Sequence, residues 1–357
     1  MGIVFVLHFS DFFSLKEVRM GSLIRWVQTN KVYELTMRSV DRQFLFKPNH
    51  HPKNPLLADS CPLDALDMNN DIIPDSSIIN TIGSAVGRAL EKYPVQIHCF
   101  ESNITHLHEK FSVNEEQRGN LPGFLRSAHS LIARGVNRTW EREGHLFASR
   151  SRFHPCLDDQ AAEQKLIYAV SNTVKDNLIE TVSQSPFFST YRHQAFGDDL
   201  RFWYIDYEAY WAAGGDRKQG HRLKNYLKWV TWDCTPLPNH AGITVHQRRT
   251  WIRQQVRDAE KSAREKRKSL GGSVIGKKRL FEEDPRNRPE NPKKSSKEPL
   301  CHASDPELVK EYKKSWREFL DSFIPASADY RNGYFDREFP DGSYRPPLVS
   351  IYTASAL

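Results

Sequence analysis

The stretch that most constrains the fold is residues 95–113, with the sequence VQIHCFESNITHLHEKFSV. It has the alternating pattern of two short strands joined by a polar turn at residues 101–103. Side chains alternate between the two faces of a strand, so His106 and His108 should point the same way while Leu107 points into the core. Two neighbouring imidazoles on a rigid strand suit a divalent metal, although such a pair alone is more often two surface histidines.

A tyrosine follows this hairpin in a strongly helical segment, residues 165–172, with the sequence KLIYAVSN. Tyr168 and Asn172 are four residues apart and should share a helix face. A tyrosine inside a helix is more often a core residue than a nucleophile. The histidine pair followed by the tyrosine, rather than either motif alone, therefore predicts phosphodiester chemistry on nucleic acid.

The positive charge of the chain is concentrated in one segment. The 357 residues are 39% hydrophobic, enough for two domains with at least one sizeable core, and carry a formal net charge of +7. Residues 246–300 hold 17 Lys and Arg against 8 Asp and Glu, and the remainder holds 34 against 36. This imbalance favours a polyanionic partner contacted mainly there, and a solvated charged helix followed by a disordered linker explains it equally well.

The five cysteines are widely spaced and form no Cys-x-x-Cys pair, which argues against a disulfide framework and against a structural zinc site. No apolar run approaches the roughly 18 residues that a membrane span needs. The apolar residues 2–8 are too few, and lack the basic start, for a signal peptide. We therefore expect a cytoplasmic protein with no membrane partner, for which Met20 is an alternative start to Met1.

Hydrophobic periodicity predicts an α+β fold. The predicted elements are a strand beginning in residues 31–46, a surface insertion at 48–74, a helix at 77–93, the histidine hairpin, a helix at 121–140, a strand at 144–153, and a helix from Asp158 or Asp159 to about Ile179. This order predicts a ferredoxin-like antiparallel sheet with helices on one face. The other face would be open to ligand, with the histidine pair on a central strand.

The region beyond residue 190 has a different character. Aromatic residues alternate with basic ones in residues 202–232, a pattern that suits either base stacking or, as we prefer, the core of a small helical subdomain. A mainly helical, basic C-terminal extension follows. It contains a charged helix at 244–269, a linker at 271–300, a helix at 306–323 and an aromatic tail that should pack back on the body.

Four segments together resemble the single-tyrosine HUH transposases, particularly the REP-associated tyrosine transposase branch. They are MRSVDRQFL at 37–45, the strand pair ending in His106-Leu107-His108, GNLPGFLRSAHSLIARGVN at 119–137, and YAVSNTVKDNLIE at 168–180. The resemblance covers residues 31–190. It implies a metal-dependent enzyme that nicks and rejoins single-stranded DNA, at hairpins or repeats, through a 5′-phosphotyrosine bond. A DNA-binding regulator that keeps the fold without cleaving is the main alternative, and a structural or RNA-associated protein is a third.

The resemblance also implies roles for particular residues. Tyr168 would be the catalytic nucleophile, and His106, His108 and Asn172 would hold Mg²⁺ or Mn²⁺. The chain departs from the family where Thr173 replaces the usual proline. We further expect a group of basic residues to contact the DNA backbone, namely Arg38, Arg42, Lys110, Arg126, Arg134, Arg150 and Arg152.

The resemblance suggests a division of the chain into domains. Whether the protein forms a homodimer is a question that the sequence leaves open. The predicted domains are an N-terminal extension at 1–30, the catalytic domain at 31–190, an aromatic-rich subdomain at 191–243, a basic helix and linker at 244–300, and a C-terminal helix and tail at 301–357.

Overall fold

The computed structural model describes residues 24–49, 77–215, 223–290 and 300–346. Its strands are β1 (Val32–Arg38), β2 (Gln96–Asn103), β3 (His106–Ser112), β4 (Arg152–Cys156), β5 (Leu200–Ile205) and β6 (Leu227–Trp232). Its α-helices are α1 (Ile78–Lys92), α2 (Leu121–Thr139), α3 (Asp159–Val170), α4 (Asn172–Lys175), α5 (Tyr191–Phe196), α6 (Tyr207–Ala212), α7 (Val245–Ser269), α8 (Lys277–Glu282) and α9 (Pro306–Arg331).

The main sheet has four antiparallel strands in the order β2-β3-β1-β4. β1 therefore lies between β3 and β4, and its register with β3 sets Thr36 opposite His108 and Arg38 opposite His106. The expected class, helices combined with an antiparallel sheet, is confirmed.

The two faces of the sheet follow from the alternation along β1. Tyr33, Leu35 and Met37 are buried in one core with α1 and α2. Glu34 and Thr36 point to the opposite face, where Glu34 pairs with Lys165 of α3. The prediction that helices cover one face only is thus wrong in one respect, because α3 packs on the second face. Its apolar residues are buried there in a separate core with α5 and α7.

Side-chain caps fix the starts of the predicted helices. Ser77 accepts a hydrogen bond from the Asn80 amide at the start of α1, and Asp158 accepts one from the Ala161 amide at the start of α3. Thr244 begins α7 with a capping box. The predicted N-termini of these helices agree with the structure.

The turn of the histidine hairpin lies at residues 104–105, not at 101–103 as predicted. The polar residues at the end of β2 stay in the strand because the segment at 188–190 satisfies them. Ser102 exchanges hydrogen bonds with Phe188, and Glu101 accepts from the amide and hydroxyl of Thr190. Polarity alone therefore misplaced the turn.

The strand predicted at 144–153 is also wrong, since β4 begins only at Arg152. Residues 146–148 run beside the end of β1 and form a single bridge, between Phe147 and Ser39. The strand that pairs with this edge of β1 is instead Arg152–Cys156, which lies opposite residues 32–36.

The aromatic segment forms a β-hairpin rather than the predicted helical subdomain. β5 and β6 pair antiparallel, and Phe202, Val230 and Trp232 are buried against α1. Gly83 of α1 permits this approach, because a Cβ atom there would lie 2.4 Å from the Phe202 ring. The preference for core packing is thus right for the inner face of the hairpin, and base stacking on its outer face stays a prediction.

The C-terminal region packs on the main domain. α7 lies against α3, α4 and α5, and α9 packs around Trp26. The tail returns as predicted: the amide of Val27 donates to Gly342, and Arg118 pairs with Asp341 at 2.6 Å. The predicted insertion from residue 50 onward lies outside the described residues, and the domain boundaries stay predictions.

Two further expectations concern the described part of the chain. Cys99, Cys156, Cys234 and Cys301 are free, as their spacing predicts. The helices that the structure describes include none with the length and apolar character of a membrane span.

Candidate active site on the second face of the sheet

The two histidines of β3 lie side by side on the face that α3 covers. The ring centroids of His106 and His108 are 4.7 Å apart, and Leu107 is buried on the other face with α1 and α2. This is the orientation that strand alternation predicts.

His108 is buried in a position that leaves one ring nitrogen without a partner. Its Nδ1 lies 3.2 Å from the Thr36 hydroxyl and 4.0 Å from Glu34 Oε1, whereas its Nε2 has no hydrogen-bond partner. Burial, reinforced by His106, holds the pKa of His108 well below its usual value. The imidazole is therefore neutral at physiological pH.

Tyr168 stands directly beside this imidazole. The centroids of the Tyr168 and His108 rings are 5.7 Å apart in an edge-to-face arrangement, and Tyr168 is 41% exposed. Burial raises the pKa of the Tyr168 phenol, with further increases from Asp176 and Glu34, and a hydrogen bond with Asn172 opposes them. An exposed phenol that is protonated in the resting protein thus faces a neutral histidine.

Tyr168 and Asn172 do not share one continuous helix, as had been predicted. α3 ends at Val170, and α4 begins at Asn172 after a break at Ser171, whose hydroxyl donates to the Ile167 carbonyl. Asn172 nevertheless remains close enough to Tyr168 to oppose the rise in the pKa of the phenol.

Asn103, at the end of β2, is a site residue that sequence reasoning missed. Its amide nitrogen donates to Oδ1 of the buried Asn172 and to Asp176 Oδ2, the latter at 3.0 Å. These bonds tie the loop after the tyrosine helix to the histidine hairpin. An asparagine before a tight turn is common, so the sequence alone carried no signal for this role.

Two lysines that were not predicted flank the tyrosine. The ammonium groups of Lys175 and Lys165 lie 4.9 Å and 5.6 Å from the Tyr168 ring centroid. Lys165 also pairs with Glu34 at 3.3 Å, whereas among the described residues no carboxylate lies within 4.0 Å of Lys175. Burial, with a smaller contribution from Lys165, lowers the pKa of Lys175 to about 8. Lys165 precedes Tyr168 by three residues and Lys175 follows it by seven. On a helix this spacing places all three side chains on one face, so the sequence did contain a signal for the two lysines.

The predicted metal ligands, His106, His108 and Asn172, have donor atoms that suit a divalent cation. They are two histidines and an amide, and the described residues contain no group of three or more His, Cys, Asp or Glu side chains suited to a metal. The two imidazoles and the Asn172 amide oxygen are nitrogen and oxygen donors of the kind that such ions accept. A ligand at Nε2 of His108 would also satisfy a buried atom that otherwise lacks a partner. The predicted residues His106, His108 and Asn172 therefore fit a cation.

Lys110 is not a DNA-contacting residue, contrary to prediction. Its side chain is fully buried, and its ammonium group lies 2.9 Å from Glu34 Oε1. A charge so enclosed is there to neutralise a carboxylate and cannot reach a phosphate backbone.

The other predicted basic residues are scattered. Arg38 is exposed beside the site and opposes the rise in the pKa of Tyr168 that burial causes. Arg126 and Arg134 are exposed on α2, which packs on the sheet face opposite Tyr168. Arg150 is exposed and Arg42 half-buried, and the side chain of Arg152 lies outside the described part.

Comparisons with known proteins add a distant likeness to a solved structure. No family model and no curated protein matches the chain. A solved structure of a REP-associated tyrosine transposase bound to a REP hairpin matches 49% of this chain and 85% of its own, with 14% identity and a TM-score of 0.32. At these values the likeness carries no weight for function, which we infer from the geometry of the site together with the sequence resemblance of residues 31–190.

Proposed function

We propose that this protein cleaves and rejoins single-stranded DNA, at hairpin or repeat elements, through a covalent bond to Tyr168. The observation that carries the proposal is the position of Tyr168, which is exposed, in contact with the buried neutral His108, and flanked by two lysines. The element order and the sheet order β2-β3-β1-β4 support a ferredoxin-like fold for this domain.

In the proposed reaction the Tyr168 oxygen attacks a backbone phosphorus. A bond forms between that oxygen and phosphorus, and the bond from phosphorus to the 3′ oxygen breaks. The phenolic proton passes to water, and the departing 3′ oxygen takes up a proton. The downstream strand stays on Tyr168 through its 5′ phosphate. A 3′ hydroxyl from another strand can reverse the step and so join new ends.

The two lysines would act on the phosphate and on the phenol. Among the described residues no carboxylate lies within 4.0 Å of Lys175, so its ammonium group is available to a non-bridging phosphate oxygen. A cation beside a phenol favours its ionised form in general, whereas burial raises the pKa of Tyr168.

His106, His108 and Asn172 would hold the Mg²⁺ or Mn²⁺ ion. When bound, such an ion supplies charge that polarises the scissile phosphate. His108 can offer its Nε2 lone pair without losing a hydrogen bond. Asn172 would give up its bond from Asn103 to offer Oδ1.

A regulator that binds hairpin DNA without cleaving it is the second candidate. Two observations favour it: burial raises the pKa of Tyr168, and the amide oxygen of Asn172 is already bonded to Asn103. Both describe a resting site that is not yet arranged for attack.

The deciding experiment uses single-stranded hairpins labelled at either end, incubated with Mg²⁺ or Mn²⁺ and resolved on denaturing gels. We expect an adduct that carries the 3′-end label and not the 5′-end label. Tyr168→Phe and the double variant His106→Ala/His108→Ala should lose it. Tyr334→Phe, at a tyrosine that is 69% exposed far along the chain, should keep it. Hairpin binding without an adduct in either metal would favour the regulator.

A further inference from the structure

Glu34 is a buried carboxylate at the centre of the site. It is 5% exposed, on β1, and pairs with Lys110 of β3 at 2.9 Å, Lys165 of α3 at 3.3 Å and Nε2 of His302 at 2.8 Å. Burial alone would raise the pKa of Glu34, but Lys110, His302 and Lys165 outweigh it and hold the pKa well below its usual value. The carboxylate is therefore charged inside the protein.

Two partners of this carboxylate belong to the proposed active site. Lys165 lies one turn before Tyr168 on α3, so its bond to Glu34 fixes the tyrosine helix against the sheet. On the other side, Glu34 Oε1 lies 4.0 Å from Nδ1 of His108. A buried charge is costly unless its partners are well placed, so a network of this kind fixes their geometry.

The position of Glu34 also bears on the tautomer of His108. The negative charge of the Glu34 carboxylate, 4.0 Å from Nδ1, favours the proton on that nitrogen, and the Thr36 hydroxyl at 3.2 Å can accept a hydrogen bond from it. Nε2 then carries the lone pair, and Nε2 is the buried atom without a hydrogen-bond partner. Glu34 thus prepares His108 to act as an acceptor or ligand through Nε2.

His302 comes from the C-terminal region, far beyond the tyrosine. The backbone of His302 donates to the Pro155 carbonyl and accepts from the Leu157 amide, both at 2.8 Å, which adds this short segment to the edge of β4. Its side chain is buried, and its Nε2 lies 2.8 Å from Glu34 Oε2, a close contact whose angle falls outside that of a hydrogen bond. The C-terminal region therefore contributes directly to the charge network of the site.

We propose that Glu34 is a positioning residue for His108 and Tyr168, and that His302 holds its carboxylate in place. The effect on reaction rate rests on the proposed function, whereas the effect on the His108 tautomer does not. The residues after position 300 are, on this proposal, needed to complete the site.

The test combines a spectroscopic and a kinetic measurement on the full chain. Nitrogen NMR of ¹⁵N-histidine-labelled protein, with His108 assigned through His108→Gln, should show the proton on Nδ1 at about pH 8. Glu34→Gln should increase the population with the proton on Nε2. It should also slow adduct formation at saturating DNA by about tenfold, with DNA affinity unchanged within about twofold. Glu34→Asp should restore part of the rate.

A matched control separates positioning from stability. Glu109 is an equally buried carboxylate, on β3, but it pairs with His129 of α2 on the opposite face. Glu109→Gln should leave the His108 tautomer and the adduct rate unchanged. For His302, the Gln variant keeps a donor toward Glu34 and should retain the rate, whereas the Phe variant should lose about as much as Glu34→Gln.

Two outcomes would overturn the inference: a proton on Nε2 of His108 in the wild-type protein, or a tautomer and rate unchanged in Glu34→Gln. If the wild-type protein forms no adduct, the proposed function fails, and the NMR arm still decides the role of Glu34. Thermal melts identify variants that do not fold. If Glu34→Gln or His302→Phe fails to fold, the conservative variants Glu34→Asp and His302→Gln still test the NMR and rate predictions.

Discussion

The ring of Tyr168 meets the ring of His108 edge to face, with their centroids 5.7 Å apart. One residue is on a helix and the other on a central strand, so their contact depends on how α3 is held against the sheet. Two links do this: Lys165 to Glu34, and Asn172 to Asn103. Each link joins a residue with a role in the proposed chemistry, Lys165 or Asn172, to a supporting residue on the sheet, and both links help to determine where the phenol stands.

Removing Lys175 should weaken the reaction more than it weakens the fold. Its ammonium group lies 4.9 Å from the Tyr168 ring and has no carboxylate partner among the described residues. We expect Lys175→Ala to slow adduct formation by about tenfold or more, because a charge that stabilises the phosphate is lost. Lys278→Ala, at a 90% exposed side chain on α8, is the control and should change the rate little. Equal rates of adduct formation in the two variants would show that Lys175 does not take part in the reaction.

The histidine pair should account for binding of a divalent cation. Calorimetric titration with Mn²⁺ should detect binding to the wild-type protein and none to His106→Ala/His108→Ala. Asn172→Ala should weaken it less, because an amide oxygen is the weaker donor. His246→Ala, at an exposed histidine on α7, should bind as the wild type does. Unchanged binding in the double histidine variant would place the ion elsewhere.

Strand alternation was sufficient to predict the orientation of the histidine pair. The period of two and the apolar Leu107 between polar neighbours fix which face each side chain occupies. The helix starts at Ser77 and Asp158 were predictable for a similar reason, since capping depends on local backbone chemistry.

The supporting residues could not be found in this way. Glu34, Asn103 and His302 meet the site only through pairing of distant segments, and nothing in their local sequence distinguishes them. Lys110 shows the converse, because a lysine beside a histidine pair suggests a phosphate contact until its burial is known. Local rules therefore predicted the helix starts and the faces of the histidine strand, whereas partners across the sheet require the tertiary structure.

Replacing Lys110 should lower stability rather than act on DNA directly. Its ammonium group is fully buried against Glu34, so Lys110→Met leaves a buried carboxylate with fewer partners. We expect a loss of about 3 kcal/mol or more in the free energy of unfolding, measured by urea denaturation. Arg126→Ala, at an exposed position on α2, should change it by about 0.5 kcal/mol or less. A stable Lys110→Met protein with weakened DNA binding would restore the prediction made from the sequence.

Glu101 should make the stability of the protein depend on pH. Burial raises the pKa of this carboxyl group to about 7, although hydrogen bonds from Ser189 and Thr190 oppose the effect. Its usual value is 4.5. Between these two pH values the folded protein keeps a proton that the unfolded chain has released. The stabilising contribution is therefore complete below about pH 4.5 and is lost as the pH rises through about 7.

The buried histidines contribute the opposite dependence, because burial lowers the pKa of His98 and His108. The part of the pH dependence that Glu101 supplies should be a fall in the urea midpoint as the pH rises, levelling off above about pH 7. Glu101→Gln should flatten this dependence and raise the midpoint at about pH 8, because an amide accepts the same bonds from Thr190 without carrying charge. Glu116→Gln, at an exposed carboxylate, should keep the wild-type profile. A Glu101→Gln profile parallel to the wild type would mean that another group titrates, and the buried end of β2 would then not be the source of the pH dependence.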